Sequence, residues 1–317
     1  MSELLVASQH DARVHDRVLA RTTGLRFVSV PAGPVEALPE GASVLFSSPV
    51  APPGRAWKHA PEPPGWPFDL RWVQLSSVGI DYYPGWLFDG PVVSSARGTA
   101  SGPIAEYVLA AILSASKRIP ELWVHDAADW RHRLLGTVEG STLGLIGFGS
   151  IGREVAKRAL AFGMKVIALR RGHGPAGLDG VELAGSAVEV FARADHVVLA
   201  APATEETWRL VNRHLLAAAR PGLHLINIAR GSLVDHDALV EALDAGRIAL
   251  ATLDVTDPEP LPAGHPLYIH PRARLSPHSS PGTPALFDSL AERFVQNLER
   301  FRAGQPLTDV VDPARGY

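Results

Sequence analysis

The chain contains the stretch Thr142-Leu-Gly-Leu-Ile-Gly-Phe-Gly-Ser-Ile-Gly152, in which a short apolar run passes directly into a G-x-G-x-x-G turn. A helical run follows, and then a second apolar run, Lys165-Val-Ile-Ala-Leu169. In this strand–turn–helix–strand setting the pattern predicts a dinucleotide-binding unit. Gly147 would allow the tight turn, Gly149 would let the backbone approach a pyrophosphate, and Gly152 would let the helix pack closely on the strand. The N–H groups at the start of the helix would bind the phosphates.

The second apolar run is followed directly by Arg170 and Arg171. A unit that binds NAD usually carries Asp or Glu about 20 residues beyond the glycines, where the carboxylate bonds the ribose 2′-hydroxyl. Two cations at that place suit a 2′-phosphate instead, because they attract a group that an acid would repel. The sequence therefore predicts NADPH as the preferred cofactor, with NADH as the alternative.

The rest of the chain alternates short apolar runs with helical runs. The apolar runs predict buried strands at residues 4–8, 25–30, 43–46 and 72–75, and after the glycine turn at residues 195–200, 224–229, 248–254 and 273–276. Amphipathic runs predict helices at residues 103–118 and 286–302. Such alternation predicts an α/β protein whose parallel sheets are covered by helices.

Residues 49–67 are rich in proline and contain Trp57 and Trp66. So many prolines exclude a helix or a central strand, and the segment is predicted to be a surface loop. Two readings remain open: a plain insertion, or a flap that faces the substrate. Trp57 and the aromatic residues between 82 and 88 would then belong either to the core or to an apolar pocket.

Length, charge and composition exclude several classes of function. A chain of 317 residues is long enough for two domains, and a formal net charge of −3 gives no sign of a nucleic-acid partner. No apolar run is long enough to span a bilayer, so a cytoplasmic location is expected. The absence of Cys excludes thiolate catalysis, and the spacing of the 13 histidines matches no metal motif, so no metal is predicted.

Four polar residues lie at or just beyond the ends of three predicted strands: Arg230, Asp254, Glu259 and His278. Each taken alone is typical of a surface ion pair, a turn or a solvated loop. Because the carboxyl ends of parallel strands meet at one edge of a sheet, we expect them to lie together beside the dinucleotide turn. Reduction of a 2-oxoacid needs such a set. An arginine holds the carboxylate and polarises the ketone, a histidine donates the proton, and a carboxylate orients the histidine and favours its charged form.

Two further assignments remain open at this level. Asp254 is compatible either with an N-cap or turn role or with a contact to the nicotinamide amide. The segment Ser76-Ser-Val-Gly-Ile-Asp81 follows a predicted strand, and its exposed N–H groups would bind a carboxylate unless it is an ordinary tight turn.

Several segments together resemble the D-isomer-specific 2-hydroxyacid dehydrogenases, in particular those like glyoxylate/hydroxypyruvate reductases. The similar segments occur in the family's order across most of residues 97–285, and they are Gly144–Gly152, Ala201–Thr207, Leu210–Asn212, Asn227–Asp235, Leu253–Pro260 and Ser276–His278. The first hundred residues are similar mainly at Ser77–Asp81. The chain departs from the family's usual acid at Arg170 and in the segment Ser279-Ser-Pro-Gly282 after the histidine.

The resemblance implies two doubly wound α/β domains. A Rossmann cofactor domain, residues 99–284, would be inserted into a flavodoxin-like substrate domain, residues 1–98 plus 285–317. It implies Arg230, Glu259 and His278 as the catalytic residues, with Val78 and Gly79 binding the substrate carboxylate beside Arg230 and His278. The implied cofactor-binding residues are Ser101, Gly147, Gly149, Ser150, Ile151, Gly152, Arg170, Arg171, Ala201, Pro202, Thr207, Ala229 and Asp254.

The predicted activity is reduction of a small 2-oxoacid to a D-2-hydroxy acid by an NADPH-preferring enzyme. One alternative is an NAD-linked catabolic dehydrogenase, and another is a nucleotide-sensing protein on the same fold without turnover. The resemblance also implies a homodimer, built on helical contacts from residues 103–140. No nucleic-acid or membrane partner is expected.

Overall fold

Two parallel sheets organise the part of the chain that the computed structural model describes, residues 3–50, 56–172 and 174–316. The chain divides into two units. The first consists of Met1–Ala100 with Gly282–Tyr317, and the second of Ser101–Pro281. The substrate-binding and cofactor-binding roles that the sequence predicts for two domains remain predictions.

The strands of the described ranges are short, with three to six residues each. In chain order they are β1 (Leu4–Ser8), β2 (Leu25–Ser29), β3 (Val44–Ser47), β4 (Trp72–Leu75), β5 (Val92–Ser94), β6 (Thr142–Ile146), β7 (Lys165–Leu169), β8 (Val181–Leu183), β9 (His196–Leu199), β10 (Leu223–Asn227), β11 (Ile248–Leu253) and β12 (Ala273–Leu275).

The α-helices lie between some of these strands and after the last of them. They are α1 (Ala12–Leu19), α2 (Ser101–Lys117), α3 (Ile119–Leu122), α4 (Ser150–Ala161), α5 (Ala187–Arg193), α6 (Arg213–Ala217), α7 (His236–Asp244) and α8 (Ala285–Arg302). No helix of the described ranges is both long enough and apolar enough to cross a membrane.

Both sheets are doubly wound. The first has the strand order β2-β1-β3-β4-β5 and the second β12-β11-β10-β9-β6-β7-β8. Every named strand pair is parallel. In the second sheet the chain moves outward from β6 through β7 to β8 and then returns to add β9 on the other side. The crevice beyond the carboxyl ends of β6 and β9 is the position where such a sheet binds its ligand. The predicted α/β fold class is confirmed.

The first unit buries apolar side chains on both faces of its sheet. On one face, α1 and α8 cover Phe46 and Trp72, which stack on Phe294 with ring centroids 4.5 and 5.2 Å away. The tail of the chain lies along the edge strand β5, where the N–H of Val311 donates to the carbonyl of Val93 at 2.9 Å. Two stretches far apart in sequence thus build one core.

Within the described residues 56–67 of the Pro-rich segment, Trp57 belongs to the core on the other face of this sheet. Trp57 is 1% exposed, and its indole N–H donates to the carbonyl of Ser48 at 2.9 Å. Trp86 donates to the carbonyl of Ala60 at 2.8 Å, and Trp66 to that of Asp89 at 2.9 Å. Of the two places left open for Trp57, the core is the one observed, because its ring is buried against Tyr83 and Trp86. Residues 51–55 lie outside the described ranges.

Two buried histidines lie side by side in the second sheet. His196 of β9 and His224 of β10 have their Nδ1 atoms 3.3 Å apart, and Nε2 of His224 lies 2.9 Å from the hydroxyl of Thr252 on β11. Burial lowers the pKa of His196 to about 4 and that of His224 well below its ordinary value. Both rings are therefore neutral at pH 7.

We expect these histidines to make the fold sensitive to acid. Between pH 6.5 and about pH 4, His196 binds a proton in the unfolded chain and stays neutral in the folded chain. The free energy of unfolding therefore falls as the pH falls through this window. For His196 alone the loss is up to about 3 kcal/mol, at roughly 1.4 kcal/mol per pKa unit. Urea unfolding between pH 7 and 4 measures it. His196→Leu should flatten the pH dependence, whereas His214→Leu at an exposed position should not; equal slopes in all three proteins would contradict the assignment.

Candidate active site

The predicted catalytic residues follow three adjacent strands of the second sheet. Arg230 comes after β10, Glu259 lies in the loop after β11, and His278 comes after β12. Since β10, β11 and β12 are neighbours in a parallel sheet, the three residues leave the same edge. This edge also carries the glycine turn after β6.

Glu259 and His278 are hydrogen-bonded. Nδ1 of the imidazole lies 3.1 Å from Oε1 and 3.2 Å from Oε2 of the carboxylate. The side chain of His278 is 30% exposed, so the ring is held on one side and accessible on the other. With Nδ1 bound to the carboxylate, Nε2 is the ring nitrogen left to meet a ligand.

His278 is held in an unusual backbone conformation. Its φ is +50°, in the left-handed region that side chains other than glycine rarely adopt. Its N–H donates to the carbonyl of Asp254 at 2.8 Å, which ties the turn after β12 to the end of β11. A conformation of this kind persists only where surrounding bonds hold it, and such residues cluster at functional sites.

Asp254 shapes the turn that carries the histidine. Its side chain is almost completely buried, Oδ1 accepts from the hydroxyl of Ser276 at 2.6 Å and from the N–H of Ser279 at 2.9 Å, and Oδ2 accepts from the N–H of Ser280 at 2.9 Å. Of the two roles left open by the sequence, the turn role is present. The contact with the nicotinamide amide stays a prediction.

Arg230 sits in a turn that Asn227 closes. The side-chain amide of Asn227 donates to the carbonyl of Arg230 at 2.8 Å and accepts from the N–H of Ala229 at 3.0 Å. The guanidinium itself donates to the carbonyl of Ala229 at 2.7 Å. The sequence analysis did not single out Asn227, although a fully buried polar residue at the end of an apolar strand is a signal for such a role.

The glycine turn has the shape that a pyrophosphate requires. A Cβ at Gly147, where φ is +100°, would lie 2.6 Å from the carbonyl group of Ala200, and a Cβ at Gly152 would lie 2.5 Å from the carbonyl oxygen of Gly147. Gly149 instead faces open space, with nothing within 4 Å of an added Cβ. It is the N-cap of α4 and has no side chain to cover the N–H groups of the first turn, which begins at Ser150 and Ile151. These residues therefore fit a bound phosphate group.

Arg170 and Arg171 both lie at the end of β7 and have different contacts. Arg170 donates through Nη2 to the carbonyls of Gly174 and Pro175, at 2.9 and 3.1 Å. Arg171 is about half exposed, with Nη2 3.2 Å from the carboxylate of Glu206. Arg170 thus contacts the loop that follows β7, whereas Arg171 contacts the loop that follows β9.

A third arginine, which the sequence analysis missed, lies at the loop that follows β7. Arg153 of α4 donates to the carbonyls of Ala176 and Gly177, at 2.9 and 3.2 Å, and its guanidinium lies 4.9 Å from the ring centroid of Phe148. Its position one residue after the last glycine of the motif was the available signal.

The other predicted cofactor residues occupy three places in the second unit. Ser101 is the first residue of α2, and its buried hydroxyl has no hydrogen-bond partner among the described residues. Ala201, Pro202 and Thr207 form the loop after β9, where the hydroxyl of Thr207 donates to the carbonyl of Pro202 at 2.7 Å. Ala229 is buried beside Arg230.

The predicted carboxylate site belongs to the first unit. Val78 and Gly79 follow β4, and the hydroxyl of Ser77 donates to the carbonyl of Gly79 at 2.8 Å. That bond uses the carbonyl of Gly79 and does not occupy the N–H groups of Val78 and Gly79. In the described ranges, no group of three or more His, Asp or Glu side chains is arranged to hold a metal ion.

Comparison with known proteins defines the family. Residues 109–280 match the NAD-binding domain of the D-isomer specific 2-hydroxyacid dehydrogenases. A glyoxylate/hydroxypyruvate reductase A of Serratia proteamaculans is 35% identical over 78% of this chain and 82% of its own length. A D-isomer specific 2-hydroxyacid dehydrogenase of Xanthobacter autotrophicus, solved in complex with NADPH and MES, is 30% identical, covers the whole of both chains and has a TM-score of 0.83.

A second solved structure agrees with these matches. A D-isomer specific 2-hydroxyacid dehydrogenase family protein of Aeromonas salmonicida is 30% identical over 98% of this chain and 99% of its own, with a TM-score of 0.80. The resemblance drawn from the sequence motifs is confirmed, and so is the prediction of an NAD(P)-dependent oxidoreductase. The chain belongs to the D-isomer specific 2-hydroxyacid dehydrogenases.

Proposed function

We propose that this protein is an NADPH-preferring reductase that converts small 2-oxoacids into D-2-hydroxy acids. The observation that carries the proposal is the hydrogen-bonded pair of Glu259 and His278, 3.1 Å apart on the strand edge from which Arg230 also projects. A protein that only senses a nucleotide has no need of a proton donor. Glyoxylate and hydroxypyruvate are the proposed substrates, because a reductase of these compounds is among the relatives.

Each catalytic residue has a separate task in this proposal. Reduction adds a hydride to the ketone carbon and a proton to its oxygen, and bound NADPH supplies the hydride. His278 donates the proton through Nε2 as negative charge develops on the oxygen. Glu259 accepts a hydrogen bond from Nδ1–H, which orients the ring and leaves Nε2 for the proton transfer.

Arg230 binds the substrate in the same proposal. Its planar guanidinium offers parallel N–H groups that suit both a carboxylate and the neighbouring ketone oxygen. The N–H groups of Val78 and Gly79 would bind the carboxylate from the first unit, which makes that unit the substrate domain. The second unit, with the glycine turn, would be the cofactor domain.

A panel assay tests this function. We expect oxidation of NADPH at 340 nm with glyoxylate, hydroxypyruvate or a bulkier 2-oxoacid. Calorimetric titration with NADPH alone is the parallel measurement. Tight binding of NADPH without oxidation by any 2-oxoacid would favour the nucleotide-sensing alternative. Faster turnover of D-2-hydroxy acids with NAD would favour the catabolic dehydrogenase.

Arg170 and Arg171 are expected to set the choice of cofactor. A hydrogen bond to a charged group contributes about 1.5–3 kcal/mol, so losing one such contact with the 2′-phosphate weakens NADPH by roughly 10- to 150-fold. Arg170→Asp, and separately Arg171→Asp, should raise KM for NADPH. Each should also raise kcat/KM with NADH relative to kcat/KM with NADPH. Arg247→Asp, at an exposed position of the same unit, is the control. A wild type that already has the higher kcat/KM with NADH would refute the assignment.

A second copy of the chain is proposed to cover the segment between α3 and β6. Trp130 is 82% and Leu134 89% exposed there, within the predicted dimer region of residues 103–140. Large apolar side chains grouped in this way mark an interaction surface. Sedimentation velocity should show a dimer that Trp130→Asp with Leu134→Asp converts to a monomer; a monomeric wild type would refute the proposal.

A further inference from the structure

A chain of hydrogen bonds links helix α2 to the turn that carries His278. The phenol oxygen of Tyr107 lies 2.6 Å from the hydroxyl of Ser276, which in turn lies 2.6 Å from Oδ1 of Asp254. An ionised carboxylate only accepts, so Ser276 must donate to Asp254 and Tyr107 must donate to Ser276. The direction of the whole chain is thereby fixed.

Asp254 is the acceptor of the hydrogen bonds that fix the turn carrying His278. Its carboxylate receives the hydroxyl of Ser276 and the N–H groups of Ser279 and Ser280, and its own carbonyl receives the N–H of His278. These acceptors bind the residues on both sides of His278, the residue with φ +50°. The orientation of the imidazole therefore depends on where the side chain of Asp254 is held.

The burial of Asp254 makes each donor important. The residue is 1% exposed, and a buried carboxylate is stable only when its lone pairs are satisfied. Burial also raises the pKa of Tyr107, which keeps its phenol protonated and able to donate. Without that donation the hydroxyl of Ser276 is free to rotate toward other acceptors, and one contact of Oδ1 is weakened.

We propose that Tyr107 is a positioning residue for the reaction, which acts through Ser276 and Asp254 to hold the imidazole of His278 on Glu259 in the geometry for proton transfer. The inference rests on the proposed function, in which His278 is the proton donor. Tyr107 touches neither Glu259 nor the imidazole by any hydrogen bond of the described structure, so its loss should disturb the placement of the donor and leave the substrate-binding Arg230 in place.

The kinetic test compares Tyr107→Phe and Ser276→Ala with the wild type. We expect kcat for reduction to fall about 10-fold, since a displacement of ~1 Å can cost about 100-fold. KM for the 2-oxoacid should change little. Ser276→Thr keeps the hydroxyl and should recover most of the lost kcat. Ser141→Ala removes a serine hydroxyl bonded to a backbone carbonyl elsewhere in the unit, and it should leave kcat unchanged.

A second readout needs neither cofactor nor turnover. In histidine-labelled, cofactor-free protein, the ring signal of His278 is identified by its absence in His278→Gln. Tyr107→Phe should shift and broaden this signal, and Ser141→Ala should not. If Ser276→Ala fails to fold, Tyr107→Phe and Ser276→Thr still decide the question.

The two proposals fail in different ways. An unchanged ring signal and an unchanged kcat in Tyr107→Phe, beside an inactive His278→Ala, would overturn the positioning role and leave the proposed function standing. A wild type that reduces no 2-oxoacid would overturn the function, whereas the ring signal would still decide whether Tyr107 positions His278.

Discussion

His278→Ala is expected to lower kcat for reduction of a 2-oxoacid by about 10²–10⁴-fold, the usual contribution of a general acid. The loss falls on kcat because the imidazole acts only as charge develops on the ketone oxygen. KM should change less, since Arg230 and the proposed carboxylate site in the first unit remain. Stopped-flow measurement of NADPH oxidation in the first turnover would separate this chemical step from product release.

Two controls keep the His278 result specific. His214→Ala removes an exposed histidine of the same unit and should be fully active. Thermal unfolding of both variants should match the wild type, since His278 is 30% exposed and little core packing is lost. A kcat within about threefold of the wild type in a folded His278→Ala protein would remove this residue from the mechanism, because a lost general acid costs far more.

Arg230→Ala is expected to damage both binding and turnover. A guanidinium fork makes two charge-assisted bonds to the substrate, each contributing about 1.5–3 kcal/mol, so kcat/KM should fall by roughly 100-fold or more. KM should rise steeply because the carboxylate loses its cation, and kcat should fall because the ketone is no longer polarised. Initial rates over a wide range of 2-oxoacid concentration measure the two effects.

Arg230→Lys and Arg247→Ala test the reason for the loss at Arg230. Lysine keeps the charge without the planar fork, so Arg230→Lys should recover only part of the activity. Arg247→Ala removes an exposed arginine after α7 and should leave the kinetics unchanged. An unaltered KM in Arg230→Ala would show that the carboxylate is bound elsewhere.

The central strands were predictable because burial on both faces makes them continuous apolar runs. The bounds predicted for β1, β4, β6 and β7 agree with the structure to the residue. The strands β5 and β8 were missed. Each has three residues and lies at the edge of its sheet, where a strand needs fewer apolar residues and gives a weaker signal.

The proposed catalytic residues were predicted from the rule that the carboxyl ends of parallel strands meet at one edge. That rule places Arg230, Glu259 and His278 without knowledge of any contact. It says nothing of residues that act through contacts between distant segments. Tyr107 lies 169 positions from its partner Ser276, so this contact was visible only in the folded chain.

Trp57 shows the limit of composition as a guide. Its Pro-rich surroundings predict a loop correctly in the sense of local backbone structure, because proline excludes helix and central strand. The burial of the indole depends on contacts with Tyr83 and Trp86, which lie beyond β4 in the sequence. Local sequence therefore predicted the backbone class of this segment and left the core as one of two places for the indole.

The configuration of the product formed from hydroxypyruvate tests the central claim most directly. We expect the purified protein to convert hydroxypyruvate with NADPH into D-glycerate, with one equivalent formed for each NADPH oxidised, as resolved by chiral chromatography. Formation of L-glycerate, or of no glycerate while NADPH stays bound and unoxidised, would contradict the account.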